Sequence, residues 1–155
     1  MLMKVEEIVN DLTAYTIIDK YDLNIDYISN IHDIIIVYHD TISAYLKFNK
    51  HDVIYIKKDT KDKMWSTFCL EFGHYILHHT NQLKMNKLYN EKQEFQAEKF
   101  SLLFRMPERL TVSNELWTVD KLVQYFNVSY SDAHARIELL MNRSKTHRLV
   151  GVKSI

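Results

Sequence analysis

Little in this sequence invites a break in the chain. Only two glycines and one proline occur in 155 residues, so no flexible or stiff linker marks off a second domain, and no repeat or low-complexity stretch stands out. The single cysteine, Cys69, excludes an internal disulfide framework and fits a reducing compartment, so the expected location is the cytoplasm. Twenty basic side chains are balanced by twenty acidic ones, which excludes a molecule-wide field for gathering nucleic acid or acidic lipid. No run approaches the roughly 20 apolar residues of a membrane span. Near the start, Glu6 and Glu7 interrupt the apolar core that a secretory signal would need. These absences leave a single expected domain over residues 1–155 with no membrane partner, long enough to bury a core without a staple.

What is present is strong periodicity. Val5, Ile8, Val9, Leu12, Tyr15 and Ile18 recur at helical spacing and predict an amphipathic helix over residues 5–18. Runs of β-branched and aromatic residues at 34–38, 44–48 and 53–57 predict three strands. The breaks between them, at 39–41 and 49–52, are short enough for hairpins, so the expected sheet is mainly antiparallel. Candidate N-caps at Asp59, Thr60 and Asp62 open a helix over 64–79, followed by a polar loop over 81–90. A further helix is predicted over 94–105 and closed by Pro107. Two more, over 118–126 and 130–142, are joined by Asn127-Val128-Ser129, with Ser129 and Asp132 spaced as a helix-start cap. The expected class is α+β.

Chemistry concentrates in the stretch Phe68-Cys69-Leu70-Glu71-Phe72-Gly73-His74-Tyr75-Ile76-Leu77-His78-His79. In H-E-x-x-H, two histidines four apart grip a metal from one helix face while the glutamate activates the metal's water. Here the motif is degraded to Leu70-Glu71-Phe72-Gly73-His74, and the leucine has no lone pair to offer. At about 100° per residue, Glu71, His74 and His78 project within a sector of about 60°. A carboxylate beside a neutral histidine is also a workable acid/base pair without metal. His79, at the helix end, suits the helix dipole.

This stretch resembles the zinc helix of the ImmA/IrrE family of metallopeptidases. Glu94-Phe95-Gln96-Ala97-Glu98-Lys99-Phe100-Ser101-Leu102-Leu103-Phe104-Arg105-Met106-Pro107 is similar to that family's second signature, E-x-[E/Q]-A-N-x-F-A-x-x-L-L-M-P. Departures are Leu70 at the first ligand position, Glu98 for the usual asparagine and Arg105 for an apolar residue. The resemblance covers nearly the whole chain and implies a zincin-like metallopeptidase fold. It also implies that Glu71 is the catalytic base and that His74 and Glu94 are zinc ligands, with a helix-turn-helix-like segment at about 111–143.

Leu70 bears on function because a catalytic zinc takes three protein ligands and one open position. With His74 and Glu94 alone, zinc should be held weakly or not at all, and Leu70 should pack into the metal's place and close a dry pocket. His78, one turn beyond His74, is a possible substitute ligand, but the shifted frame puts Tyr75 where the base belongs. Cys69 points about 100° away from Leu70. The resemblance implies a catalytically impaired regulator that binds a helix-turn-helix repressor of a prophage or mobile element. The alternative is an active zinc-dependent endopeptidase that cleaves such a repressor at a specific site. Arg136, Arg143, Lys145, Arg148 and Lys153 make the C-terminal end mildly basic, which is thin ground for direct nucleic-acid binding.

Overall fold

The computed structural model describes residues 4–78 and 87–151. Two compact units are formed, one running from Leu23 to Ser101 and the other joining the chain before it to the chain after it. The expected end of the motif helix at His79 and most of the expected loop over 81–90 lie outside the described residues.

The first unit opens with α1 (Ile25–Ile31), whose start is capped by Asn24 accepting from the Tyr27 amide at 2.8 Å. Strands β1 (Ile34–His39), β2 (Ala44–Phe48) and β3 (His51–Lys57) follow, in the sheet order β1-β3-β2. β3 takes the centre because it is apolar on both faces, with Val53, Ile54 and Ile56 all buried. It pairs antiparallel with β2, Tyr45 opposite Ile54, across a tight turn in which Asn49 and Lys50 both have positive φ (48° and 68°). Two such residues in succession suit the right-handed twist of a hairpin. The sheet is therefore mixed rather than mainly antiparallel, because β1 runs parallel to β3 with Ile36 opposite Ile54. No hairpin forms after β1. The His39 ring instead accepts the amides of Thr41 (3.0 Å) and Ile42 (3.2 Å), which bends the chain away from β1.

Helix α2 (Lys61–Leu77) packs against β3 and β2. Thr60 caps it by accepting from the Lys63 amide at 3.3 Å. One side carries Trp65, Phe68, Phe72 and Tyr75, stacked ring on ring at centroid spacings of 5.8, 5.5 and 5.9 Å. Tyr45, His32 and Phe100 meet this column edge-on, and such contacts add to the area that the rings bury. Helix α3 (Lys87–Arg105) follows, and it starts earlier than residue 94.

In the second unit, the N-terminal helix α0 is short, Val5–Thr13 rather than 5–18. The Thr13 and Thr16 hydroxyls bond back to the Val9 and Leu12 carbonyls, each at 2.8 Å, and β-branched residues weaken the helix beyond. Ile17 is buried while Ile18 is 81% exposed, so the apolar stripe does not continue as the spacing suggests. A short helix, α4 (Glu108–Ser113), starts directly after Pro107. Then come α5 (Val119–Phe126), stopped by Asn127 in the left-handed conformation, and α6 (Tyr130–Ser144), started by Ser129 accepting from the Asp132 amide at 3.1 Å. Met106, Leu116, Leu122 and Ala133 form the buried core of this pair, with Leu102, Val123 and Ile137 against it. Arg105 makes an ion pair with Asp132 at 2.8 Å, which accounts for a cation where the resembled signature has an apolar residue. Among the described residues, no helix is long and apolar enough to cross a membrane.

Candidate functional site

Helix α2 carries Glu71 and His74, and both are buried, at 4% and 1% exposure. Helix α3 runs close beside it because Gly73 has no side chain. A Cβ there would lie 3.0 Å from a ring carbon of Phe100 and 3.2 Å from the Ala97 carbonyl oxygen. Gly73→Val should force the two helices apart, at a cost of about 2 kcal/mol from overpacking. Urea unfolding monitored by tryptophan fluorescence would check it, and an unchanged midpoint would contradict the close approach.

That closeness brings the sequence-predicted residues together. His74 Nε2 lies 2.7 Å from Glu94 Oε1, and His74 Nδ1 lies 3.2 Å from His78 Nδ1. His78 Nε2 in turn lies 2.9 Å from Gln96 Oε1. Glu71 does not join this row; its carboxylate accepts the backbone amide of Tyr45 on β2. Burial, reinforced by the charge of Glu94, pushes the Glu71 carboxyl up to about 7 against the lowering effect of the Tyr45 amide. Burial also holds His74 below the ordinary histidine value, with Glu94 pulling the other way.

Gln96 is the member that sequence reasoning left without a role. It stands at the E/Q position of the second signature, and that letter was its only signal, since residues two apart on a helix, such as Glu94 and Gln96, do not share a face. Leu70 is half-buried. Cys69 is fully buried, as a small core residue is.

The donor set does not fit a catalytic zinc, which needs three protein ligands around one open position. His74 Nε2 and Glu94 are in place, but Leu70 supplies no lone pair and Glu71 is turned to the Tyr45 amide. The substitute His78 addresses Gln96 and His74 through its two ring nitrogens. Among the described residues, no three His, Cys, Asp or Glu side chains are arranged to hold a metal ion.

The Peptidase M78 family model, described as an IrrE N-terminal-like domain, matches residues 29–138. The chain is 29% identical over 117 residues to the phage-like element PBSX protein XkdA of Bacillus subtilis (strain 168). That alignment takes in 72% of this chain and 59% of the relative, so the chain spans about three fifths of that protein's length. No solved structure matches it significantly. With the match extending over most of the sequence and both signature helices meeting at His74 and Glu94, the chain belongs to the Peptidase M78 family of IrrE N-terminal-like domains.

Proposed function

We propose that this protein is a non-catalytic member of its family that works by binding a protein partner, a helix-turn-helix repressor of the prophage or mobile element that carries it. One observation carries the reading: Leu70 stands at the first ligand position between otherwise matching signatures, which leaves His74 and Glu94 as two donors where zinc needs three. XkdA, the relative from Bacillus subtilis, is by its name a protein of a phage-like element, which supports the setting.

The alternative of an active endopeptidase requires His78 to become a ligand, and that would break its contact with Gln96. Direct DNA reading by the C-terminal helices loses two of its cations to the interior of the unit. Arg136 is 2% exposed and donates to the Met106 carbonyl at 2.8 Å, and Arg143 is held by Glu108 at 2.6 Å. Base recognition needs exposed side chains.

The test is to mix the purified protein, with zinc supplied, with the repressor encoded alongside it. Gel filtration would follow association and intact mass would follow cleavage. A stable complex with uncut repressor, indifferent to EDTA, is expected. Stoichiometric zinc in the protein together with cleavage that disappears in Glu71→Gln would overturn the reading.

A further inference from the structure

The row Gln96, His78, His74, Glu94 admits few ways of placing its hydrogens. Glu94 as a carboxylate only accepts, so the His74 nitrogen 2.7 Å away must carry hydrogen. A neutral His74 then has a bare Nδ1, which must receive hydrogen from His78 Nδ1 at 3.2 Å. A neutral His78 is left with a bare Nε2, which needs a hydrogen-bond donor. The Gln96 amide supplies one when its nitrogen, rather than its oxygen, faces His78 across the 2.9 Å contact, a half-turn that leaves the side chain's shape unchanged. All four groups are then satisfied, with hydrogens pointing one way from Gln96 to Glu94 and no surplus proton. The opposite direction sets the bare His74 Nε2 against the carboxylate, acceptor against acceptor.

We propose that these four side chains form a one-directional hydrogen-bonded tie that fastens α2 to α3 in place of a metal, with His74 Nε2 as donor to Glu94. The atom that would have to give its lone pair to a cation carries a hydrogen instead. The inference rests on the non-catalytic reading and says what the retained polar residues do within it: they satisfy one another beside the close approach at Gly73. His74 is nearly inaccessible, at 1% exposure, so water cannot replace a lost partner there.

The experiment is a long-range proton–nitrogen NMR spectrum of the full chain at one fixed pH near neutral, with and without equimolar zinc chloride, alongside thermal melts with zinc and with EDTA. The expected result is His74 with hydrogen on Nε2 and a bare Nδ1, unchanged by zinc, and a Tm that moves by less than about 1 °C. Gln96→Leu should lower Tm by about 2–4 °C, the loss of one part-buried hydrogen bond in a chain of this size, and should disturb the His78 and His74 ring signals. Leu70→His, which supplies a third ligand beside His74 and Glu94, should make the His74 signal respond to zinc.

Zinc moving the His74 Nε2 signal in the unaltered protein, or raising its Tm by more than about 5 °C, would overturn the tie. So would hydrogen found on Nδ1 of His74 instead, or a Gln96→Leu variant that matches the parent in both readouts. The failures are distinguishable: the wrong tautomer in a zinc-indifferent protein sinks the tie alone, whereas cleavage of a repressor sinks the functional reading.

Discussion

Glu108→Ala should cost about 3–5 kcal/mol of stability, the usual loss when one member of a buried ion pair is removed and the other is left charged. The Glu108 carboxylate is 1% exposed and uses both oxygens. Oε1 receives Arg143 Nε at 2.6 Å, while Oε2 receives the Val150 backbone amide at 2.7 Å and Asn10 Nδ2 at 3.3 Å. One side chain thus ties the N-terminal helix, the last helix and the chain beyond it to α4. Nearby, Arg136 is fully enclosed, and burial lowers its guanidinium to about 10 although the charges of Glu108 and Glu6 support it. Removing Glu108 would leave two enclosed cations with one fewer counter-charge. The replacement pair Glu108→Met with Arg143→Met should lose less than the single change, since Arg143 is no longer left charged and unpaired, while Arg136 and the Val150 amide lose Glu108 in both. Urea unfolding of the three proteins would measure this, and a loss below about 1 kcal/mol for Glu108→Ala would refute it.

How much of this was legible beforehand depends on how local the determining interactions are. Strand positions followed from runs such as Ile34 to Tyr38, and the caps at Thr60 and Ser129 from side chains that reach backbone three residues on. Pairing is a non-local property, so a short β1–β2 break suggested a hairpin where the His39 ring bends the chain and β3 takes the centre. The helix Ile25–Ile31 escaped because its isoleucines, serine and asparagine are indifferent helix formers, and only the Asn24 cap announced it. In the site, Glu71, His74, His78 and Glu94 were visible as a motif and a second signature. Gln96 was visible only as a letter in that signature, because its partner lies 18 residues away. The Glu108 network left no trace in periodicity at all, since its members lie 98, 35 and 42 residues from it.

Glu71→Gln should stabilise the protein at pH 8 by about 2–3 kcal/mol and leave it unchanged near pH 4. The Glu71 carboxyl is raised from an ordinary 4.5 to about 7, first by burial and then by Glu94. Below 4.5 the group is neutral in both folded and unfolded chains, and the folded state loses nothing. Between 4.5 and about 7 the unfolded chain releases the proton while the folded one keeps it, so stability falls as pH rises through that window. Above it both are ionised and the full penalty remains, about 3 kcal/mol for a gap of that size. Glutamine has the same shape, keeps an oxygen for the Tyr45 amide and never ionises, so the variant should lack this slope. Melts of both proteins across pH 4 to 8 would show curves that coincide in acid and separate by about 6–10 °C at the alkaline end. Parallel curves would mean that Glu71 is not held neutral by its surroundings. A carboxyl poised near 7 lies in the range that a general base uses, and the separation would measure how strongly burial and Glu94 hold this one neutral.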